Sequence, residues 1–441
     1  MKKIGIIGAG HVGLVTAGCF AKLGHTVICA DKDIDKIEKI NKLEMPFYEP
    51  GLKELIEEVV KSGNISFTTS VKEVAVNSEI IFIAVGTPAT DDGGADLSYV
   101  ENVTVEIAKS LANIKRDTNQ PIYKLIVEKS TVPVLTGEWV KRTLALIAPT
   151  GIEFDVAANP EFLSEGNAIR DFLEPDRIVV GVENERAKTV FEDIYKSIKA
   201  PIIFTDVKSA EIIKHASNSF LALKISYING ISQICERVGA DIEKVAEGMG
   251  YDKRIGKEFL RAGIGWGGGC FPKDVSAFIQ LSKELGYSFD LLKEVQQINR
   301  EQKFLLISKA KKMLWNLKGK KIGVLGLSFK PNTDDIRESP AIKIVKLLLD
   351  EGAVLKCYDP ESMETAKKEI PNVVYCDNAY EAVEETALML LLTEWKEFLA
   401  LDFTKVKNLM VTPYIIDGRN CLDKDKLKEL GFIYKGIGKN G

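Results

Sequence analysis

Short runs of apolar residues alternate with stretches whose apolar positions recur at helical spacing through about the first 195 residues. The runs predict strands at Lys3–Ile7, Thr26–Ala30, Ile65–Thr68, Ile80–Val85, Lys124–Glu128, Val156–Ala158 and Ile178–Val182. The stretches between them predict helices, among them Val12–Leu23, Asp33–Asn41 and Leu97–Leu111. A strand covered by helices on both faces has no polar side to show, so this alternation is the pattern of βαβ units around a mostly parallel sheet.

The strand signal stops between about Val207 and Arg300. Ser209–Val238 carries apolar residues at helical spacing with no proline, which predicts one long helix, a domain spine or an oligomer interface. A glycine-rich loop follows, Gly263-Ile-Gly-Trp-Gly-Gly-Gly269, then Cys270 and a helix entered through Pro272. From Lys320 the βαβ pattern resumes with an internal echo. Lys2-Lys-Ile-Gly-Ile-Ile-Gly-Ala-Gly10 aligns with Lys320-Lys-Ile-Gly-Val-Leu-Gly-Leu-Ser328, and a helix (Pro340–Glu351) and a strand (Val354–Tyr358) follow the second copy. The expected fold is α/β: two Rossmann-like doubly wound domains joined by a central helical domain with a long spine helix. The expected divisions are residues 1–195, 196–300 and 301–441. The tail after Gly436 is expected to be short and mobile.

Composition narrows the classes. With 45% hydrophobic and 28% charged residues, the chain of 441 residues has a globular composition, not a disordered or fibrous one. Fifty-nine basic against 63 acidic residues give a net charge of −4, so there is no bulk basic surface and nucleic acid is not an expected partner. The longest apolar runs, such as Ala387–Leu392, have strand length, so no spanning helix and no membrane partner are expected. The opening MKKIGIIGAGHVG is broken by glycines and lacks a cleavage pattern, which argues against a signal peptide. Seven scattered cysteines without a CxxC pair read as reduced, mostly buried cytoplasmic thiols. Three histidines and no HExxH or Cys/His cluster make a metal site unexpected.

Gly8-Ala-Gly10-His-Val-Gly13 follows a strand and opens a helix. The first glycine permits a tight turn, the second close approach of a pyrophosphate, the third helix–strand packing, and the helix N-terminus favours the anion. Asp31 ends the second strand, 23 residues after Gly8, where a carboxylate accepts bonds from a ribose 2′-OH. These features together predict a bound dinucleotide. Asp31 favours NAD over NADP, with Lys32 and Lys36 close by. The second copy lacks the later glycines and supplies Lys330, which suits another phosphorylated ligand or else marks a purely structural duplicate. Cys270 follows glycines and begins a helix beside Lys273; both features favour a nucleophilic thiolate, though a small residue in a crowded turn fits as well. Lys214 and Asn218 share a helix face and read first as a solvated lysine and a polar interface residue. Gly86-Thr-Pro88, Ser130-Thr131 and Asn159-Pro-Glu161 fall at strand ends, where open α/β sheets bind ligands.

In combination, Gly8–Gly13, Phe47-Tyr-Glu-Pro-Gly-Leu52, Val85-Gly-Thr-Pro88, Lys129-Ser-Thr-Val-Pro133, Asn159-Pro-Glu-Phe-Leu163, Phe259-Leu-Arg-Ala-Gly263, Gly267-Gly-Gly-Cys-Phe-Pro-Lys-Asp274 and Phe329-Lys330 with Arg337-Glu-Ser339 resemble the nucleotide-sugar dehydrogenase family of UDP-glucose and GDP-mannose dehydrogenases. The resemblance spans about residues 1–425. It departs from the family pattern at His11, where an aromatic is frequent, at Trp266 in place of Tyr or Phe, at Gly269 in place of Ser, and at Leu135 in place of Gly.

The resemblance implies oxidation of a sugar C6 alcohol to a carboxylate with two NAD+, in a homodimer built on the long helix. Cys270 would trap the aldehyde as a thiohemiacetal, whose oxidation gives a thioester that water cleaves. Lys214 would stabilise oxyanions, Asp274 would accept a proton through a water, and Glu161 would assist, with Asn218 and Thr131 in the same catalytic set. Val12, Asp31, Lys36, Thr87, Thr131, Glu165, Lys273 and Arg337 would contact NAD alongside Gly8, Gly10 and Gly13. Glu161, Phe162, Leu163, Lys214, Asn218, Phe259, Leu260, Arg261, Ala262, Gly263, Gly267 and Lys330 would contact the nucleotide sugar. Arg254 would reach a neighbouring subunit's substrate, and Arg419 would approach the uridine diphosphate or sugar. The Gly-Cys-Phe-Pro-Lys-Asp run favours glucose or mannose over acetamido sugars, and Glu165-Gly166 with Pro175-Asp-Arg177 leans towards UDP-glucose. The alternatives are GDP-mannose or a UDP-N-acetylhexosamine as substrate, a one-step alcohol dehydrogenase, and a non-catalytic NAD-binding protein.

Overall fold

In the computed structural model, the apolar runs pair into two sheets. The structure describes residues 1–90, 93–112 and 122–439. They form two units, Met1–Ser217 with Ser276–Gly286, and Asn218–Val275 with Tyr287–Gly441.

The first unit holds eight strands: β1 (Lys3–Ile7), β2 (Thr26–Ala30), β3 (Ile65–Thr68), β4 (Ile80–Ile83), β5 (Ile122–Glu128), β6 (Ile152–Ala158), β7 (Ile178–Gly181) and β8 (Ile202–Thr205). Their order is β3-β2-β1-β4-β5-β6-β7-β8. All pairs are parallel except β6 with β7, which meet antiparallel at Ala158 and Gly181. Alternate residues feed two cores. Ile4, Ile6, Val27, Phe82 and Val127 pack on one side, and Ile7, Ala30, Ile81, Ile83 and Ile126 on the other. Burial on both faces is why these strands lack polar alternation.

The second unit repeats the scheme with β9 (Lys321–Leu325), β10 (Val354–Tyr358), β11 (Val374–Tyr375), β12 (Leu388–Leu391), β13 (Tyr414–Asp417) and β14 (Ile433–Lys435). The order β11-β10-β9-β12-β13-β14 matches the first six strands of the other sheet, and all pairs are parallel. The sequence echo is thus structural: Lys3 pairs with Thr26, and Lys321, its counterpart, pairs with Val354.

The long helix runs Val207–Val238, two residues earlier than its periodicity suggests. Asp206 explains the start: its carboxylate accepts from the Ser209 amide at 2.8 Å and from its hydroxyl at 2.6 Å. Strand ends also differ: β5 and β6 begin earlier than expected, at Ile122 and Ile152, and β4 stops at Ile83.

The tail departs from expectation. Gly436–Lys439 is buried rather than loose. Ile437 packs with Ile228, Ile242 and Leu260, and it exchanges hydrogen bonds with the Asn420 side chain at 2.8 and 2.7 Å. The Gly438 amide donates to Glu236 at 2.7 Å, and Lys439 pairs with Glu243 at 2.8 Å. One apolar anchor and several satisfied backbone groups fix a segment that position in the chain alone suggested was free. Residues 440–441 lie outside the described residues.

Candidate active site

At the carboxyl edge of the first sheet, three glycines have three different reasons. Gly8 has φ +110° and its amide donates to Ala30 O at 2.7 Å, closing the turn. A β-carbon on Gly13 would lie 1.8 Å from Gly8 O, whereas one on Gly10 would meet open space. The helix His11–Lys22 therefore starts against β1 with its first amides accessible at Gly10, and no acid in its first turn competes with an anion. Asp31 is fixed at the end of β2. Its Oδ2 accepts from Ala9 N and Lys36 Nζ, both at 2.8 Å, and its Oδ1 from Asp33 N at 3.0 Å. Burial opposes its ionisation, but the Lys36 and amide hydrogen bonds outweigh that and hold its pKa below the usual carboxylate value. Lys36 is thereby committed to Asp31, and Lys32 lies over the Tyr99 ring at 4.3 Å.

His11 keeps the aromatic role that the family pattern suggests. It stacks on Phe47 at 4.7 Å and places Nε2 2.8 Å from Glu49 Oε2. Glu49 is buried and accepts from Gly166 N at 2.6 Å and Ala168 N at 2.9 Å, so it ties the dinucleotide helix to the loop bearing Glu165. Sequence reasoning quoted the motif containing Glu49 and missed this function; a glutamate set among Phe, Tyr, Pro and Gly was the available signal.

At the ends of β4–β6, the Thr87 hydroxyl donates to Thr131 O at 2.9 Å and the Ser130 hydroxyl to Val85 O at 2.7 Å. Asn159 donates to Val179 O at 2.8 Å and accepts from Tyr195 at 2.6 Å and Lys129 at 3.1 Å. Glu161 pairs with Lys214 at 2.9 Å with side chains only 4% and 5% exposed. The solvated-lysine reading of Lys214 is therefore excluded. Burial pushes Lys129 down to about 8; Glu161 opposes the shift and Lys214 adds to it. Phe162 lies 3.8 Å from the Arg177 guanidinium and 5.3 Å from Lys214, and the Leu163 amide donates to Glu161.

The second unit builds the thiol turn. Each glycine of Gly267–Gly269 faces a separate wall. A β-carbon would lie 2.3 Å from Glu338 O at Gly267, 2.8 Å from the Phe329 ring at Gly268, and 2.6 Å from the Arg337 guanidinium at Gly269. The motifs around Phe329 and Arg337 thus pack directly against the turn, and Gly269 in place of serine leaves the space that the guanidinium fills. Arg337 also forms a two-point pair with Asp335, at 2.9 and 2.7 Å. Cys270 immediately precedes the helix Phe271–Glu284, and its carbonyl accepts from Asp274 N at 2.8 Å, so the thiol lies at a helix N-terminus. Buried Asp274 accepts from Asn218 Nδ2 on one oxygen and Lys273 Nζ on the other, both at 2.6 Å. Asn218 is therefore bound to an acid rather than being a generic interface amide.

Around this turn, Trp266 donates its indole N–H to Ser226 at 3.0 Å, and Asn299 clasps its backbone at 2.8 and 3.0 Å. Phe259 has φ +63°, Leu260 and Ala262 are buried, and Gly263 N donates to Asn229 at 2.9 Å. Arg261 donates to Asn420 O at 3.3 Å. Arg419 donates to three carbonyls, Leu392 and Phe329 at 2.7 Å and Gly265 at 3.3 Å, which makes it a staple of the second sheet's edge. Exposed Arg254 pairs with Asp252 at 2.6 Å. Lys330 follows Phe329 at the same edge.

Three family models match along the chain: the UDP-glucose/GDP-mannose dehydrogenase family NAD binding domain at residues 2–199, its central domain at 208–301, and its UDP binding domain at 323–424. The chain is 44% identical to the Bacillus subtilis UDP-glucose 6-dehydrogenase TuaD, covering 100% of this chain and 94% of that protein. It is 44% identical to the Rhizobium meliloti UDP-glucose 6-dehydrogenase, covering 99% of each. Its fold is similar to that of a UDP-glucose dehydrogenase from Pyrobaculum islandicum, with TM-score 0.92, 38% identity, and coverage of 100% of this chain and 98% of that one. It is also similar to a UDP-D-ManNAc dehydrogenase from Pyrococcus horikoshii, with TM-score 0.85, 27% identity and 99% of each chain covered. The chain belongs to the UDP-glucose/GDP-mannose dehydrogenase family.

Proposed function

We propose that the protein is an NAD-dependent UDP-glucose 6-dehydrogenase that oxidises UDP-glucose to UDP-glucuronate. The observation that carries this reading is the full-length likeness to UDP-glucose 6-dehydrogenases, together with a cysteine at a helix N-terminus beside a buried Asn218–Asp274–Lys273 cluster. The glycine turn, the open position at Gly10 and the fixed carboxylate of Asp31 fit NAD, which supplies the hydride acceptor when bound.

The residues divide the work as follows. Cys270 attacks the C6 aldehyde left by the first oxidation and forms a thiohemiacetal, which keeps the aldehyde from escaping. The second oxidation gives a thioester, and water releases the acid. Lys214 stabilises the developing oxyanions, and Glu161 holds its ammonium in place and assists proton transfer. Asp274, oriented by Asn218, accepts a proton through a water. Val12, Asp31, Lys36, Thr87, Thr131, Glu165, Lys273 and Arg337 serve the cofactor. Phe162, Leu163, Phe259–Gly263, Gly267, Lys330, Arg254 and Arg419 serve the nucleotide sugar.

The three segments 1–195, 196–300 and 301–441 are read as cofactor, dimerisation and UDP-sugar parts. A homodimer is supported by Phe220, Tyr227 and Ile234 on the long helix, seven residues apart and 61%, 52% and 53% exposed. Free thiols throughout suit a cytoplasmic location, and no helix among the described residues is long and apolar enough to cross a membrane.

The test is the NADH yield per limiting UDP-glucose, with the product identified by mass. Two NADH and UDP-glucuronate are expected. A yield of one with free aldehyde would remove the role of Cys270, and turnover only with GDP-mannose or a UDP-acetamido sugar would reassign the substrate.

A further inference from the structure

The first unit contains a buried acidic pair that none of the roles above uses. Glu128 ends β5, Glu211 lies in the first turns of the long helix, and both are buried. They flank Gly137, where a β-carbon would lie 3.4 Å from Glu128 Oε2 and 3.5 Å from Glu211 Oε1. Glu211 accepts from Leu135 N at 2.8 Å and Gly137 N at 3.0 Å. Glu128 has no comparable donors. Among the described residues no amide, hydroxyl or cation donates to either of its oxygens, and what faces it is the Glu211 carboxyl. Two facing acceptors away from water repel unless a proton lies between them. Burial, the Glu211 charge and the hydrogen bond to Glu211 all push Glu128 well above the carboxylate range. Burial also raises Glu211, against the pull of its two amide donors and of Glu128. The proton therefore belongs to Glu128, which donates it to Glu211.

The gripped segment is strained. Leu135 has φ +80°, a left-handed conformation in a position where the family pattern has glycine. Glu211 holds the amides on and after it, and His215, one turn along the same helix, donates Nε2–H to Val132 O at 2.8 Å. Lys214 lies between these two anchors in sequence. Glu128, Glu211, Thr131 and Lys214 also line one small cavity, with room for about one water.

We propose that Glu128 and Glu211 are positioning residues that share one proton and hold the Thr131–Gly137 segment and the Lys214 turn in the geometry the oxidation uses. The activity arm of this proposal rests on the reading under Proposed function. Lys214 lines the same cavity as the pair, Glu138 and its partner Lys208 act on Glu211 from the rim, and Glu161 and Lys129 are the charges grouped around Lys214 in turn. Ionisation of Glu128 would place two carboxylates together and release the segment.

Glu128→Gln keeps a donor towards Glu211 and cannot ionise; Glu128→Ala removes the donor. Glu128→Gln is expected to stay within about threefold of the parent kcat near neutral pH and to lose part of the alkaline decline, while Glu128→Ala loses about 10²-fold in kcat. Equal losses in the two variants would overturn the proposal. Two arms need no turnover. Infrared spectra of the unliganded protein should show a protonated-carboxyl band that Glu128→Gln removes; its absence overturns the proposal. A carboxyl raised on folding loses stability as pH climbs from the free value of about 4.3 towards its folded value, so the unfolding-midpoint advantage of Glu128→Gln should widen over that range. A constant difference overturns the shared proton. Failure of the parent protein to oxidise any sugar nucleotide would instead sink the functional reading, and the last two arms would still decide the pair.

Discussion

Removing one partner of the Glu161–Lys214 pair is the sharpest perturbation of the first unit. The groups are 2.9 Å apart and nearly free of solvent. At an effective dielectric constant of about 20, their attraction is about 6 kcal/mol. Glu161→Gln keeps the shape and a neutral hydrogen bond to Lys214, so part of this is retained; breaking a buried pair leaves a net cost of about 3–5 kcal/mol. Lys214→Met should cost less, because the other oxygen of Glu161 keeps the Leu163 amide. The double variant should recover to within about 2 kcal/mol of the parent, because neither member of the pair is left as a lone charge and their opposing effects on Lys129 are removed together. Urea unfolding followed by circular dichroism, with amide exchange across β5 to isolate the first unit, measures all three. The reasoning fails if Glu161→Gln costs under about 1 kcal/mol, or if the two single effects add. Activity separates the roles: the double variant should be folded and inactive, since restored packing does not restore the cation.

Asp31→Asn should raise the NAD constant about 10–100-fold and relax discrimination against NADP, since a charged hydrogen bond is worth about 1.5–3 kcal/mol; unchanged cofactor constants would show that Asp31 does not meet the ribose. Because Asp31 is lowered on folding, its stabilising contribution is present above the free value of about 3.9 and lost as pH falls through the folded one, so the midpoints of parent and variant should converge in acid. If the parent sediments as the proposed homodimer, Tyr227→Glu with Ile234→Glu should give monomers in analytical ultracentrifugation; a variant that stays dimeric would place the interface elsewhere, and a monomeric parent would remove the dimer. Lys129 at about 8 sheds its proton in the folded chain before the unfolded one does, so stability should climb by about 3 kcal/mol between about pH 8 and 10.4 relative to Lys129→Met. A flat difference would mean that Lys129 is not desolvated.

The central strands were legible because both of their faces are buried, which turns a strand into an uninterrupted apolar run, and because the two halves carry the same run in the same register. The glycine fingerprint, Asp31 and Cys270 were legible because each needs a residue type at a fixed offset from an element boundary. What stayed hidden depends on contacts remote in sequence. Glu49 meets Gly166 and Ala168, Asn218 meets Asp274, and the three glycines before Cys270 owe their places to Glu338, Phe329 and Arg337. Nothing near Glu128 in sequence announces Glu211. The tail was misjudged for the same reason: the groups that bind it, Glu236, Ile242 and Asn420, come from other parts of the chain.

The duplicated half-domain shows how one scaffold keeps its frame while changing its ligand. Gly326 has φ +96° and its amide donates to Tyr358 O at 2.9 Å, as Gly8 does to Ala30, and Asp359 follows β10 as Asp31 follows β2. The sequence echo therefore extends to the acid, which the missing glycines had obscured. The two carboxylates have opposite surroundings. Asp31 accepts one bond on Oδ1 and two on Oδ2 and keeps part of its surface accessible, whereas Asp359 is fully buried. One oxygen of Asp359 accepts from Leu327 N at 2.7 Å and from Ser328 N and Trp395 Nε1 at 3.1 Å; the other accepts from the amides of Glu361 and Ser362 at 3.0 and 2.9 Å. A carboxylate with its lone pairs spent on the chain has none to offer a ribose. The acid proposed to read a nucleotide in the first sheet thus has a counterpart that braces the turn in the second. That leaves ligand recognition at this edge to other groups, for which Lys330 is the proposed cation, in the half of the chain that matches the family's UDP binding domain.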